Sequence, residues 1–143
     1  MLSLGTLTVA GIVVAAALVV LLLRFRMQDK LQAIEARRRG EAKVVTRGHF
    51  VEGLERMPIV ISLVGDNFCY DNADLEACLE LRYVEEIEYD DETATGHSVT
   101  PGKALRLRSH GHAFEFILDH ASAAKWESVL PTRRHDMGER QAV

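Results

Sequence analysis

The side chains with obvious chemical reach are few: six histidines, two cysteines and one dense run of carboxylates. His110 and His112 form an HxH across a tight turn at Gly111, with His97 and His120 elsewhere. Imidazoles at such spacing do ligate transition metals. Residues two apart on a strand share a face for trivial reasons, however, and no cysteine or carboxylate has an evident place in the same ligand set, so no metal is expected. The run Glu85-Glu86-Glu88-Asp90-Asp91-Glu92 offers carboxylates to a cation or a basic partner. It lacks the glycine-punctuated spacing of a calcium loop and reads as a solvated face. Cys69 and Cys78 have neither CxxC spacing nor a matching histidine pattern; they read as core thiols, with a disulfide only in an oxidising compartment. No Gly-rich phosphate loop, serine nucleophile elbow or Cys/His pair of recognisable spacing occurs. No catalytic residue and no cofactor is assigned, and the chain is expected not to be an enzyme.

What must position any site is set at the N-terminus. Leu2 to Leu23 is a run of twenty-two residues without an ionisable side chain, ended by Arg24-Phe25-Arg26. As a helix it would extend about 33 Å, enough to cross a hydrocarbon core of about 30 Å. Residues 1–23 are therefore expected to form a single transmembrane helix. No Lys or Arg precedes the run and arginines follow it, the reverse of a cleaved secretory signal. Arg24, Arg26, Lys30, Arg37, Arg38 and Arg39 all lie on the C-terminal flank, so the positive-inside bias places the N-terminus outside and everything after the span in the cytoplasm. The same six residues are the candidate membrane-surface contacts for anionic headgroups. Gly11 and Ala15 form a small-xxx-small pair through which two anchors could pack, so a homodimer through anchor and stalk is a candidate assembly.

Beyond the span, Leu23, Met27, Leu31 and Ile34 line one helical face, which predicts that the helix continues to about Arg39. Gly40 is placed to end it, with three arginines at the negative end of the dipole. Residues 24–43 thus read as a basic juxtamembrane helix and linker. From Arg24 to Arg47 there are eight basic and three acidic residues; from Gly48 onward there are nine basic and eighteen acidic. An acidic domain on a basic stalk is a poor partner for nucleic acid.

The displayed domain is expected over residues 44–131, with 132–143 a flexible tail. After a short polar stretch, Met57-Pro58 opens IVISLV, and the triplet Gly65-Asp66-Asn67 leads into FCY, a hairpin pattern. Asp74 to Arg82 has helix-forming composition but strict alternation of Leu75, Ala77, Leu79 and Leu81, which predicts a strand. Tyr83 to Asp91 reads as a half-buried strand and Glu92 to Lys103 as a loop. Ala104 to Arg108 and Phe114 to Leu118 form a second hairpin. Asp119 to Leu130 reads as a helix, with Asp119 or Ser122 as N-cap, Trp126, Val129 and Leu130 facing the core, and Pro131 as its stop. The fold class is a transmembrane helix followed by a small, mainly β α+β domain: a bent antiparallel sheet or partial barrel with one C-terminal helix.

The hairpin IVISLVGDNFCYDN, the stretch LELRYVEEIEYDDE, the hairpin ALRLRSHGHAFEFIL and Trp126 in AAKWESVL together resemble the bacterial pleckstrin-homology-like domains, over about half the chain. The resemblance implies a non-catalytic domain that binds lipids, peptides or other subunits. The lipid-binding subset uses basic residues between its first two strands; read on this sequence, that loop is Gly65-Asp66-Asn67, which favours protein contacts instead. The expected function is a membrane-tethered interaction module at the cytoplasmic face of a bacterial inner membrane, with the bilayer and other membrane proteins as partners. Alternatives are an accessory subunit of a larger membrane complex that uses its transmembrane helix as the contact surface, or a lipid- or metal-sensing domain.

Overall fold

Residues 4–134 are described by a computed structural model. Met1 to Ser3 and most of the expected C-terminal tail, residues 135–143, lie outside the described residues. A single helix, α1 (Leu4–Arg39), carries both the apolar run and the stalk without interruption. No part of its most apolar window is buried against the rest of the chain, and the helix is long and apolar enough to cross a membrane. The helix stops where Arg37, Arg38 and Arg39 meet its negative end; the carbonyl of Arg38 accepts from the amides of Glu41 and Ala42 at 3.0 and 2.8 Å.

Seven strands follow: β1 (Val44–Glu52), β2 (Glu55–Val64), β3 (Asn67–Asp71), β4 (Glu76–Glu80), β5 (Val84–Asp90), β6 (Lys103–Ser109) and β7 (His112–Leu118). A helix, α2 (His120–Val129), closes the described chain. The spatial order β4-β3-β2-β1-β7-β6-β5 is two antiparallel meanders joined where β1 pairs with β7. The sheet is open, yet strongly bent. Phe68 on β3 and Phe116 on β7 are three strands apart in the ladder, about 14 Å if the sheet were flat. Their rings stand 5.1 Å apart, so the two meanders fold toward one another.

Trp126 fills the resulting concavity: fully buried, 5.2 Å from Phe68, its indole N–H donating to Thr46 Oγ1 at 2.7 Å. Asp119 is the N-cap of α2 and accepts from the Ser122 amide at 2.7 Å. Leu130 is buried with Trp126, whereas Val129, expected in the core, is 41% exposed. Val129 lies about 60° round the helix from Trp126, at the margin of the buried stripe of Ser122, Ala123, Trp126 and Leu130.

Three further expectations are corrected. The stretch before Met57 is not a polar connector: Val44–Glu52 is a central strand, paired with β2 on one side and β7 on the other. Its period-2 signal is masked because the inward position is Thr46, buried by its bond to Trp126, and Gly48 lies where a Cβ would stand 2.7 Å from the Ile117 carbonyl. Consequently Gly65-Asp66 joins β2 to β3, and the connection between the first two strands is Gly53-Leu54. Residues 132–134 are not loose either. The amide and carbonyl of Arg133 bond Ile87 at 3.0 and 2.8 Å, which covers the outer edge of β5. The strand reading of Asp74 to Arg82 holds for β4, and a 3₁₀ turn at Leu81–Tyr83 then carries the chain into β5.

The cysteines are the third correction. Cys69 on β3 and Cys78 on β4 stand directly opposite in the ladder and are joined by a disulfide. Cys69 is buried and Cys78 exposed, so the pair runs from the interior to the surface.

Candidate functional site

The feature that links the helix to the domain is the junction where the C-terminal part of α1 lies along the outer face of β1 and β2, with Arg38 reaching β3. Alternation along β2 sends Ile59, Ile61 and Leu63 into the core and Val60 and Ser62 to the opposite face, yet all five are buried. The strand is covered on both sides. On the α1 side the contact is built around Leu31, which is 3% exposed, and two charged clamps, one spanning it and one two turns further on.

In the first clamp Arg38, buried, donates from Nε to Asp71 Oδ2 at 2.8 Å, with Glu76 at 3.4 Å and Glu41 at 3.6 Å. Its hydrogen bond to Asp71 holds the guanidinium pKa above the ordinary value. In the second, Arg47 on β1 reaches back to the stalk, donating to Glu35 Oε2 at 2.9 Å and Gln28 Oε1 at 2.7 Å. One arginine comes from the helix and one from the sheet, so neither partner can slide without breaking a short charge-assisted bond. These contacts and Leu31 hold the stalk against the domain. Ser62 Oγ and Asp71 Oδ1 are buried here without a hydrogen-bond partner among the described residues.

Three recesses flank the clamps. One of about 500 Å³ lies between Lys30, Ile34 and Arg37 of α1 and the β3–β4 turn at Asp71 to Glu76. A second, about 440 Å³ and mainly apolar, is bounded by Gln28 and Leu31, by His49 and Pro58 on the sheet, and by Val99 and Pro101 in the loop before β6. A third, about 170 Å³, brings Met27 and Leu31 against Met57 and Pro58.

The six candidate membrane-surface residues separate into two groups. Arg24, Arg26 and Lys30 are exposed on α1 within about 10 Å of Leu23 along the axis. Arg37, Arg38 and Arg39 stand about 21–24 Å from it, at the level of the domain. Arg38 is not available to lipid at all, and Arg39 is paired with Glu35 at 2.6 Å. Linear spacing could not separate them, because a basic run at a helix end looks the same whether it faces headgroups or a carboxylate on a distant strand.

The other chemical candidates are placed apart. His110 takes φ 50° in the β6–β7 turn with its ring 5.0 Å from Tyr83, and His112 begins β7. Among the described residues no group of three His, Cys, Asp or Glu side chains could hold a metal ion. The acidic run is laced to β6: Arg106 meets Glu88 at 3.1 Å, Asp90 at 2.8 Å and the buried Glu115 at 2.8 Å. Lys103 pairs with Asp91 at 2.6 Å, and Arg108 with Glu86 at 3.4 Å. These are cross-strand ladder contacts, so much of the apparent negative field is neutralised within the sheet. No family model, curated protein or solved structure matches this chain.

Proposed function

We propose that this chain is a non-catalytic, membrane-tethered interaction module: a pleckstrin-homology-like domain held at the cytoplasmic face of a bacterial inner membrane by its own transmembrane helix. The observation that carries the proposal is the double arginine clamp, Arg38 to Asp71 and Arg47 to Glu35 and Gln28, which makes an apolar, uncovered helix and a folded domain one rigid piece. A flexible tether would only raise the local concentration of the domain. A rigid one also fixes which face meets other membrane proteins, so orientation entropy is removed before encounter.

The side of the membrane is assigned from the basic flank, which acts during insertion, before the sheet has formed. The disulfide favours the opposite assignment, since such bonds persist in oxidising compartments. Strand register sets Cys69 opposite Cys78, and the cytoplasmic reading requires the bond between them to be reduced in the cell. A reporter active only outside the cytoplasm, fused at Val143, is expected to stay silent; activity would reverse the orientation. Crosslinking and mass spectrometry in native membranes should recover membrane-protein partners. Replacing the anchor by an unrelated span should preserve them, and their loss would favour an accessory subunit recognised through its transmembrane helix.

A further inference from the structure

The clamps fix more than orientation; they set the height of each part of the domain above the span. Met27 of α1 shares a recess with Met57 at the lower end of β2. At the upper end the Lys43 amide, four residues past the helix, donates to the Leu63 carbonyl at 2.9 Å. Between Met57 and Leu63 β2 climbs about 20 Å, and α1 climbs about 18 Å from Met27 to Arg39 before the turn to Lys43, so strand and helix cover similar heights side by side. Continuing β2 downward from Met57 to the tip of its hairpin with β1 lowers the chain by about 10 Å, to the level of Val20 to Leu23. That tip is Gly53-Leu54, with Gly53 at φ 62°. Leu54 is 84% exposed, more than any other large apolar side chain outside α1.

We infer that Leu54 is seated in the headgroup–acyl boundary of the bilayer that α1 crosses, as a second membrane contact of the same rigid body. The inference rests on the reading of α1 as a membrane span. It requires no headgroup recognition: the tip is flanked by Glu52 and Glu55 with Arg56 beside them, so the attraction is apolar. A turn that carried Leu54 into water would gain nothing from that side chain. A turn held at the depth of Leu23 places it where amphipathic and apolar groups partition. The consequence is rotational: one helix leaves the domain free to swivel about the bilayer normal and to tilt, whereas a second contact limits the tilt.

The test uses the full chain in nanodiscs containing phosphatidylcholine brominated near the carbonyl end of its acyl chains, a short-range quencher of indole emission. Trp126, fully buried, supplies a constant background and reports folding in every variant. L54W is expected to add emission that is blue-shifted and reduced by roughly half in brominated lipid, consistent with a depth of about 5–10 Å. F25W, on α1 just past the span, should be quenched similarly. D66W, at the opposite end of β2, should add unquenched emission accessible to aqueous iodide. If F25W is quenched while the L54W emission behaves like that of D66W, the hairpin contact is overturned and the span stands. If neither F25W nor L54W is quenched, the reading of α1 as a membrane span fails with it. Equal quenching at L54W and D66W would also overturn the inference, because the domain would then lie on the membrane without the height set by α1.

Discussion

The two faces of β2 are buried by opposite means. Toward the concave side Ile59, Ile61 and Leu63 meet Phe68, Phe116 and Trp126, a continuous apolar and aromatic core crossed by the Trp126–Thr46 hydrogen bond. Toward α1, Val60 and Ser62 lie beside the buried Arg38–Asp71 pair, with Leu31 as the main apolar anchor. The first interface tolerates many apolar solutions because its stabilisation scales with area removed from water. The second has little area, so directional charged bonds must set its register. The domain therefore owes its existence to one face of this strand and its attachment angle to the other.

That contrast predicts different failures. W126A should cost about 3–5 kcal/mol and melt the whole domain, since it empties the centre of the core and strands Thr46 Oγ1. Chemical denaturation should show one cooperative transition at lower midpoint. R38A should cost about 3 kcal/mol by leaving Asp71 buried without its partner, but the loss should appear as faster amide exchange over residues 28–42 while β6 and β7 stay protected. The double variant R38M/D71L should recover most of that stability, because an apolar pair has no desolvation penalty to offset. Global unfolding in R38A would mean the two faces are not separable.

A smaller effect is expected at the Cys69–Cys78 bond, which links residues nine apart on strands that are already paired. Its reduction should lower stability by about 2–3 kcal/mol on a chain-entropy estimate, without disturbing the clamps. Denaturation with and without reductant measures it. The smallest effect is at the α2 cap. D119A should cost about 1 kcal/mol. The Ser122 amide bond holds the Asp119 carboxyl below its ordinary pKa. Its contribution is thus present above the unfolded carboxylate value near pH 4 and is lost as pH falls through the lowered folded value; D119A should flatten the acid limb of the stability curve by that amount.

The parts legible in the sequence are those whose signal is local. Twenty-two residues without charge mark a helix long and apolar enough to cross a membrane. The alternation in LRLRS and FEFIL, the Gly65-Asp66 and His110-Gly111 turns and the Asp119 cap each depend on neighbours a few residues away. The strand over Val44–Glu52 was hidden because Thr46 is buried by a tryptophan eighty residues on, and Gly48 by the need to approach the Ile117 carbonyl. Cys69 and Cys78 became a pair through register, and Arg38 left the membrane-facing group because a carboxylate thirty-three residues later closes on it. Composition and periodicity determined a long apolar helix and a mainly β domain. Which charges meet, and which strands lie against α1, only the tertiary structure decided, since these depend on long-range contacts whose partners leave no mark on adjacent residues.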